Sequence, residues 1–558
     1  MNLVTPTGFR DVLPDEAAER ERITRAVQDL FAQKGFQPIE TPTLEAMDVV
    51  NAGTHLPASP FRFFDSQGDL LAMRPDVTIQ VARMCSTRLR GTGAGARLRY
   101  TQRVFRETEG AAQVTPREMT QIGVEDVGEA GWQIDSSLAS LMLQALELAG
   151  VSAVTLALAT VAPLRALLER SGGSASWKQA VLSACHTSDF VALAQLVSLT
   201  GCEGVDTAGV APAYAQAVYD LMHVRGAEEA VEEARALTAP LGCAEGLDEL
   251  AQVIAEVRVT CPQADLLVDF SVMSSFDYYT GIVFEAYSPY LGSSLGSGGR
   301  YDNMLAAFGA PQPAAGFAFS LEQTMAASAA EGEPTQRKLR IAVPKGALNK
   351  DAIQSLAAAG LDVSGLDDPG RQLVIPTQSA DYIIVRPSDA PAFVASGAAD
   401  CGICGRDSLL ETDAQVVQLA DLKFGGCRFV VAELAGTDEA IQERYRRLGS
   451  IRVATKYPHI ARTHFARMGV QADIVKLNGN IELAPMTGLA ERIVDITATG
   501  TTLRENNLVI VDEVLSSTAR FFANPSRLRT DGRIVELADT LAANAQEAEY
   551  DPIAGGTR

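Results

Sequence analysis

The sequence predicts two folds in one chain: an α+β domain built on antiparallel strands, followed by an α/β domain with open sheets. Its 558 residues, 47% of them hydrophobic, exceed the usual size of one domain and can fill at least two cores. Strand-like runs follow one another closely between residues 61 and 125, which is typical of antiparallel pairing. After residue 338, strand and helix patterns alternate, which is typical of α/β units.

The overall charge opposes two classes of partner. A formal net charge of −22 at pH 7 is unfavourable for a protein that binds duplex nucleic acid or an anionic membrane through a broad basic surface. It remains compatible with a small basic pocket for a phosphorylated metabolite. No apolar run approaches the roughly 18 to 20 residues that span a bilayer, and the first residues lack the apolar core of a signal peptide. We therefore expect a cytoplasmic protein that binds neither nucleic acid nor membrane.

The cysteines and histidines show no metal-site pattern. The eight cysteines mostly stand singly in apolar surroundings, which predicts reduced, buried thiols. The pair Cys401 and Cys404 has the CxxC spacing, but no second pair and no histidine lie nearby, so a packed strand or turn is favoured over a zinc or redox site. His186 and His223 stand alone and are expected to be packed or solvated rather than to act as ligands.

Helix and strand signals can be followed along the first domain. Acidic residues after Pro14 and apolar residues at helical spacing predict an amphipathic helix that Gly35 ends. Alanine-, leucine- and glutamate-rich segments between 150 and 260 predict further helices without recognisable chemistry. Apolar runs predict antiparallel strands at 61–65, 70–76 and 97–100.

A change of composition separates the two domains. Residues 326–338 lose periodicity and gather Ala, Ser, Gly, Glu and Pro, which predicts a linker. We therefore place the first domain at 1–325 and the second at 339–545.

A hydroxyl- and glycine-rich turn follows an apolar run in the second domain, and it is the stretch most suggestive of a ligand. Such a turn at the end of a strand presents backbone N–H groups to an anion, and Gly500 lets the backbone approach it. Asp495 cannot hold a bare phosphate, so we assign it to a ribose hydroxyl or an accompanying ion. Turns of this composition are often only turns. The candidate phosphate-binding residues are Asp495, Thr497, Ala498, Thr499, Gly500, Thr501 and Thr502.

Separate motifs in the first domain carry a family resemblance. They are Phe105-Arg106-Glu107, the run from Arg117 to Glu125, Phe276 to Gly281, Gly298 to Asp302, and Gly316 to Glu322. In this order they resemble the signature and histidine-recognition motifs of class II aminoacyl-tRNA synthetases in the histidyl form. The resemblance covers residues 1 to about 325. It implies a class II synthetase-like antiparallel-sheet domain with a histidine pocket formed by Arg106, Glu125, Tyr278 and Tyr279.

Two departures from the synthetase pattern decide the expected function of this domain. Ser274 stands where synthetases have an arginine that stabilises the reacting carboxylate and phosphate, and Gln323 stands where the closing motif has an arginine for ATP. Developing phosphate charge needs fixed cations, and the loss of one costs orders of magnitude in rate. The domain therefore resembles the regulatory subunit of short-form ATP phosphoribosyltransferases, which implies histidine binding without activation.

The second domain resembles another family over residues 338 to about 541. The matching segments are Pro344-Lys345-Gly346, Ala398 to Ile403, Phe424 to Arg428, Val453 to Pro458, Lys476 to Gly479, and Val494 to Gly500. They resemble the catalytic subunit of short-form ATP phosphoribosyltransferase, which implies two α/β lobes of the type II periplasmic-binding-protein kind. By this resemblance Arg371 and Arg386 neutralise pyrophosphate and Lys345 lies near the phosphates. Ala347 replaces an arginine that the family often has.

Together the two resemblances imply a fusion of a regulatory and a catalytic subunit. The implied reaction joins ATP to phosphoribosyl pyrophosphate with Mg²⁺, in the first step of histidine biosynthesis, with histidine as inhibitor and a homo-oligomeric assembly. The residues that hold the metal cannot be named from the sequence. Two alternatives stay open: a working histidyl-tRNA synthetase, which Ser274 and Gln323 oppose, and a non-catalytic metabolite-binding protein with the same two-lobed fold.

Overall fold

The computed structural model describes the chain in two compact units. Unit 1 comprises Met1–Arg337 together with Pro525–Gly532, and unit 2 comprises Lys338–Asn524 together with Arg533–Arg558. The residues outside the description are 1–3, 53–58, 91–94, 108–115, 201, 203, 273–277, 333–336, 369, 498–499, 547–549, 552–555 and 558.

Unit 1 is an α+β domain. Its helices, α1 to α12 in chain order, are Pro14–Gln33, Met47–Ala52, Thr78–Thr87, Trp132–Leu148, Ala162–Arg170, Ala175–His186, Phe190–Ser198, Pro212–His223, Glu229–Thr238, Leu247–Thr260, Met304–Ala307 and Leu321–Ala330. Its strands, β1 to β12, are Gln37–Pro38, Leu44–Ala46, Arg62–Phe64, Leu70–Met73, Ala96–Phe105, Glu118–Val127, Thr155–Thr160, Arg225–Gly226, Asp265–Asp269, Ile282–Tyr287, Gly296–Arg300 and Ala314–Ser320.

A nine-stranded sheet forms the centre of unit 1, with the order β1-β5-β6-β12-β11-β10-β7-β9-β8. Its pairs are antiparallel apart from β1 with β5 and β7 with β9. Strands β2, β4 and β3 form a separate three-stranded sheet. The predicted antiparallel α+β class is confirmed, because the long strands β5 and β6 pair over ten residues each.

The first helix illustrates why these elements form where they do. Pro14 opens α1 at a position where its missing N–H costs nothing, and Ile23, Val27 and Phe31 bury the apolar face. Gly35, with a φ of 89°, turns the chain after Gln33. The predicted amphipathic helix is confirmed.

Unit 2 is an α/β domain. Its strands, β13 to β25, are Leu339–Pro344, Val374–Pro376, Ala380–Val385, Cys401–Gly405, Val417–Asp421, Cys427–Leu434, Ile451–Thr455, Ala472–Lys476, Arg492–Thr497, Leu508–Ser517, Ala519–Ala523, Tyr550–Asp551 and Gly556–Thr557. The remaining helices, α13 to α21, are Asn349–Ala358, Ala390–Ala395, Arg406–Thr412, Asp438–Leu448, Pro458–Arg467, Leu483–Met486, Thr501–Glu505, Pro525–Thr530 and Arg533–Gln546. Helix α20, Pro525–Thr530, lies in unit 1.

Two mixed sheets build unit 2, as the two-lobed prediction requires. The six-stranded sheet has the order β14-β15-β13-β16-β23-β17, and the five-stranded sheet has the order β20-β19-β21-β18-β22. Parallel neighbours occur in both sheets, between β13 and β15 in one and between β19 and β21 in the other. The chain passes from one sheet to the other twice, between β17 and β18 and between β22 and β23.

The structure differs from the sequence analysis in two places near the domain boundaries. Helix α12 runs to Ala330, so the first part of the expected linker is helical. The composition there is rich in alanine, which favours helix even where apolar periodicity is lost. In addition, Pro525–Gly532 packs with unit 1, although it falls inside the stretch assigned to the second domain.

Cys401 and Cys404 lie on the buried strand β16 and form no disulfide, as expected for a packed strand. His223 packs against the rings of Phe190 and Tyr219. None of the helices in the described part of the chain has the length and apolar character that a membrane crossing needs.

Candidate functional site

Lys345 and Arg386 lie at one edge of the six-stranded sheet in unit 2. Each is the first residue after a strand, β13 and β15 respectively, and these strands are parallel neighbours in which Pro344 pairs with Val385. The Lys345 backbone N–H donates to the Val385 carbonyl oxygen at 2.8 Å. Because the carboxyl ends of parallel strands meet at one edge, the two cations are held side by side by the register itself.

Arg371 approaches the same edge from the other direction. It precedes β14, which pairs antiparallel with β15, and the Ile384 N–H donates to the Leu373 carbonyl at 2.8 Å. Continued backwards from Leu373, this antiparallel register places Arg371 beside Arg386. The side chains of Arg371, Arg386 and Lys345 are exposed and make no hydrogen bond or ion pair with any described residue. Their charges are available to an anion.

The predicted phosphate loop follows β21 in the other sheet. Thr497 ends the strand, Gly500 has a φ of 72°, and α19 begins at Thr501. The Gly500 N–H donates to Thr497 Oγ1 at 2.7 Å, which closes the turn. Ala498 and Thr499, also assigned to this loop, lie outside the described residues.

The structure adds a second reason for Gly500 to the predicted close approach to an anion. A Cβ at this position would come no closer than 4.0 Å to Thr497 Oγ1, so the protein atoms themselves leave room for a side chain. The backbone conformation is left-handed, however, and a side chain in that conformation costs about 1 to 2 kcal/mol. Thr501 and Thr502 are exposed beyond Gly500, and Thr501 Oγ1 accepts a hydrogen bond from Arg504 Nη2 at 3.3 Å.

Asp495 is a partly buried carboxyl next to this loop. Burial raises its pKa from 3.8 to about 6; Glu482 acts in the same direction, while the Ile496 N–H, donating to Oδ1 at 2.8 Å, and Lys456 act against it. Above pH 6 the group is therefore mainly ionised and able to accept hydrogen bonds from ribose hydroxyls or to bind a cation.

In unit 1, Glu125 is the centre of a buried polar cluster. It lies on β6, is 1% exposed, and accepts hydrogen bonds from Thr78 Oγ1 at 2.7 Å, from the Tyr100 hydroxyl at 3.1 Å and from the Tyr301 hydroxyl. Burial raises its pKa from 4.5 to about 8, although these three hydrogen bonds favour the ionised form. At neutral pH the carboxyl of Glu125 is therefore mainly protonated and uncharged.

Tyr278 and Tyr279 lie beside this cluster and are both buried. Their ring centroids are 4.7 Å apart, and the Tyr278 ring lies 5.8 Å from that of Tyr301, edge to face. Burial raises the pKa of both phenols, so they are hydrogen-bond donors throughout the neutral range. Tyr301 thus joins the tyrosine pair to Glu125. The Tyr301 hydroxyl donates to Glu125 and its ring packs against the ring of Tyr278, so the predicted residues Glu125 and Tyr278 lie in one cluster.

Arg106 follows β5 and is tied to the backbone. Its Nε donates to the Pro75 carbonyl at 3.0 Å. Burial lowers its pKa, and the charges of Asp76 and Tyr278 oppose that shift. Arg106 is therefore near the Tyr278 side of the cluster, with Asp76 as its neighbouring carboxylate.

Comparison with known proteins gives a separate result for each part of the chain. A family model of histidyl-tRNA synthetases matches residues 8–324, and a family model of ATP phosphoribosyltransferases matches residues 386–543. The ATP phosphoribosyltransferase of Rubrobacter xylanophilus is 46% identical over 219 residues, which cover 39% of this chain and 100% of that protein. The ATP phosphoribosyltransferase regulatory subunit of Moorella thermoacetica is 36% identical over 329 residues, which cover 58% of this chain and 82% of that protein.

The chain belongs to the ATP phosphoribosyltransferase family. It joins a catalytic part to a part that belongs to the histidyl-tRNA synthetase-like regulatory subunits, and it is a pentosyltransferase. A crystal structure of a regulatory subunit/histidyl-tRNA synthetase from Bacillus halodurans supports the fold, with a TM-score of 0.53 and 26% identity, covering 69% of this chain and 99% of that one. The predicted fusion and both fold classes are confirmed.

Several residues around Glu125 and Asp495 were not predicted from the sequence. Thr78, Tyr100 and Tyr301 bond Glu125. Of these, Tyr301 had a signal, since it stands in the Gly-Gly-Arg-Tyr-Asp motif. Gly316 was also missed as a pocket residue: a Cβ there would lie 1.8 Å from Glu125 Oε2, so only glycine leaves room for the carboxyl on the neighbouring strand.

Lys456 is the corresponding omission in the catalytic part. It is the first residue after β19, and the parallel register that pairs Thr455 with Val494 places it next to Asp495. Its charge favours the ionised form of that carboxyl. Like Lys345 and Arg386, it directly follows a parallel strand.

The two synthetase departures can be followed only in part. Ser274 lies outside the described residues. Gln323 lies in the first turn of α12, and its Nε2 donates to Ser293 Oγ at 3.2 Å. At this position the structure therefore provides a neutral amide and no cation.

Proposed function

We propose that the chain joins N1 of ATP to C1 of phosphoribosyl pyrophosphate and releases pyrophosphate, the first step of L-histidine biosynthesis, under control of histidine. The observation that carries the proposal is the pair of strand-end sites in unit 2. Free cations stand at the carboxyl edge of one sheet, and a phosphate-binding turn stands at the carboxyl end of β21 in the other.

The chemistry of this displacement matches those residues. The bond between C1 and the pyrophosphate oxygen breaks as the bond between C1 and N1 of ATP forms, so negative charge grows on the leaving group. Fixed cations stabilise that charge most where it develops, and Arg371, Arg386 and Lys345 supply them. The reaction needs positioning of two substrates and no covalent nucleophile, which agrees with a site built from arginine, lysine, threonine and backbone N–H groups.

The phosphate-binding turn positions phosphoribosyl pyrophosphate. The loop from Thr497 to Thr502 holds the 5′-phosphate, with the backbone N–H groups at the start of α19 as donors, and the positive end of its first turn adds to the attraction. Asp495, ionised above pH 6, accepts a hydrogen bond from a ribose hydroxyl.

Mg²⁺ fits this arrangement as a substrate-borne ion. Among the described residues no group of three or more His, Cys, Asp or Glu side chains converges as a metal site. Mg²⁺ in phosphate sites is commonly held by one or two carboxylates together with substrate phosphates. Asp495 is the carboxylate that would hold it here, and the ion would supply charge neutralisation for pyrophosphate.

Histidine, in this proposal, binds in unit 1 at the cluster of Glu125, Tyr278, Tyr279 and Arg106. A zwitterion with an imidazole ring calls for a carboxylate to meet the ammonium and for aromatic or hydroxyl groups to hold the ring. The cluster contains both. Glu125, whose pKa is about 8 in the free protein, ionises to meet the ammonium.

The test is to incubate the whole chain with ATP, phosphoribosyl pyrophosphate and Mg²⁺ and to follow phosphoribosyl-ATP. Its formation, and inhibition by histidine, are the expected results. ATP–pyrophosphate exchange that depends on histidine would instead indicate a synthetase, and binding of both substrates without turnover would indicate a binding protein. The biosynthetic role favours a cytoplasmic location. It also favours a homo-oligomer, and sedimentation of the purified chain would test the oligomeric state.

A further inference from the structure

A short segment near the C-terminus, Pro525–Gly532, packs in unit 1, while the residues on both sides of it belong to unit 2. We call it the inserted segment. It follows strand β23, which lies between β16 and β17 in the six-stranded sheet, and precedes α21. One residue before it, Asn524 is fully buried and its Nδ2 donates to the Val394 carbonyl at 2.9 Å. The chain is thus fixed in unit 2 immediately before it enters unit 1.

Arg529 fixes the inserted segment in unit 1. Its side chain is 4% exposed and its Nε lies 3.5 Å from Asp269 Oδ2. Its Nη2 donates to the Ser271 carbonyl at 3.3 Å, and the guanidinium carbon lies 5.3 Å from the centre of the Tyr287 ring. A buried cation that meets a carboxylate, a carbonyl and a ring face in one place adopts a single position.

Arg225 binds the inserted segment from the opposite strand of the sheet. It lies on β8, which pairs with β9, and its Nη2 donates to the Leu528 carbonyl. Burial lowers the pKa of Arg225, and Asp269 opposes that shift, so this carboxylate serves both arginines. Buried ion pairs of this kind contribute little net stability, and their best-attested role is to specify one arrangement.

The partners of Arg529 flank the tyrosines of the proposed histidine pocket along the chain. Asp269 ends β9 and Ser271 follows it, and the chain then reaches Tyr278 and Tyr279. Tyr287, whose ring faces the Arg529 guanidinium, ends β10, and β10 begins at Ile282, shortly after Tyr279. A change of backbone position at the two tyrosines is therefore bounded on both sides by residues that hold Arg529.

We propose that the inserted segment transmits histidine binding in unit 1 to the catalytic sheet of unit 2, with Arg529 as its positioning residue. The inference rests on the proposed function, because it needs a histidine site at Tyr278 and Tyr279. Histidine binding shifts the backbone that holds Asp269 and Ser271, Arg529 follows its partners, and the inserted segment displaces β23, to which it is covalently joined. Two sites coupled in this way must influence each other equally.

The experiment uses the whole chain with the double substitution Arg529→Met and Asp269→Asn, which removes one positive and one negative charge. Histidine affinity is measured by calorimetry with and without phosphoribosyl pyrophosphate, and histidine inhibition is measured by phosphoribosyl-ATP formation. In the wild type we expect phosphoribosyl pyrophosphate to weaken histidine binding by the same factor by which histidine weakens substrate binding. In the double variant we expect histidine to bind within about twofold of wild type, the half-inhibitory concentration to rise at least about tenfold, and the effect of substrate on histidine affinity to vanish.

Two further variants separate a coupling role from a structural one. Arg529→Lys keeps the charge but loses the fork that reaches Ser271, and we expect an intermediate loss of inhibition with unchanged basal turnover. The control Arg170→Met with Glu245→Gln removes an exposed ion pair of unit 1 and should leave inhibition unaltered.

Each contrary outcome has a distinct meaning. Full histidine inhibition in both Arg529 variants overturns the inference and leaves the proposed function intact. Loss of histidine binding itself in the folded variants also overturns it, because the segment would then only support the pocket. A wild-type chain that forms phosphoribosyl-ATP but neither binds nor responds to histidine overturns the regulatory half of the proposed function, and a chain that forms none overturns the catalytic half.

Discussion

Glu125 should release a proton when histidine binds. Burial raises the pKa of this carboxyl to about 8 in the free protein. At pH 7 it is therefore about nine-tenths protonated, and its ionisation against the histidine ammonium costs about 1.4 kcal/mol. If the carboxylate forms only in the complex, histidine binding at pH 7 releases between about half a proton and one proton.

The substitution Glu125→Gln gives this prediction a magnitude. A hydrogen bond to a charged group contributes about 1.5 to 3 kcal/mol. At pH 7 the wild type spends about 1.4 kcal/mol of that on ionisation, so the variant should bind histidine only about 1- to 15-fold more weakly. At pH 8.5 most of the ionisation cost is gone, and the difference should grow towards about 10- to 150-fold. The histidine amino group titrates identically in both experiments and cancels from the ratio.

Calorimetry at pH 7 in buffers of different ionisation enthalpy measures the proton release directly. Glu118→Gln is the matched control, since Glu118 lies at the partly exposed start of the same strand and pairs with Arg103. Histidine binding without proton release in the wild type, together with a wild-type to variant ratio that stays constant from pH 7 to 8.5, would refute the assignment of Glu125 to the ammonium.

Three predictions concern the catalytic part. Gly500→Ala should raise the KM for phosphoribosyl pyrophosphate about fivefold or more, because a left-handed residue with a Cβ costs about 1 to 2 kcal/mol; an unchanged KM in steady-state kinetics would contradict the turn assignment. Arg371→Ala and Arg386→Ala should each lower kcat more than they raise KM, because leaving-group charge grows towards the transition state; a pure KM effect would make them ground-state binders only. Since burial raises the pKa of Asp495 to about 6 and the ionised form is required, kcat/KM should fall about tenfold per pH unit below pH 6 in the wild type. Asp495→Asn should have low activity without that acid limb, and an identical pH profile in the variant would exclude Asp495 as the titrating group.

The parts of the site that lie on one stretch of chain could be predicted from the sequence. The strand that carries Asp495 and the turn at Gly500 lie close together in the sequence, so apolar patterning and turn chemistry were enough. The family resemblance named Lys345 and Arg386 as candidates, and the structure shows that the parallel register brings them together.

The environment of Glu125 could not be predicted in the same way. Its hydrogen-bond donors come from a helix, a neighbouring strand and the residue after a third strand, separated from it by 47, 25 and 176 positions along the chain. A local pattern contains no information on such meetings. The same holds for Arg529, whose partner Asp269 is far away in sequence and whose burial gives it a role that composition cannot indicate.

The two halves differ in how they treat charge, and the difference explains why one binds and the other transforms. In the pocket of unit 1 the carboxyl of Glu125 is mainly protonated, and Arg106 donates to a backbone carbonyl. Gln323 supplies a neutral amide where a cation would have to meet ATP. A ligand there meets hydroxyl donors, aromatic rings and one arginine that already donates to the backbone, which suits recognition of an amino acid rather than stabilisation of a phosphate in transit. The proposed function assigns that stabilisation to the exposed, unpaired cations Arg371 and Arg386 of unit 2. If histidine binds in unit 1 as proposed, it acts on the reaction through a difference in its affinity for two states of the chain.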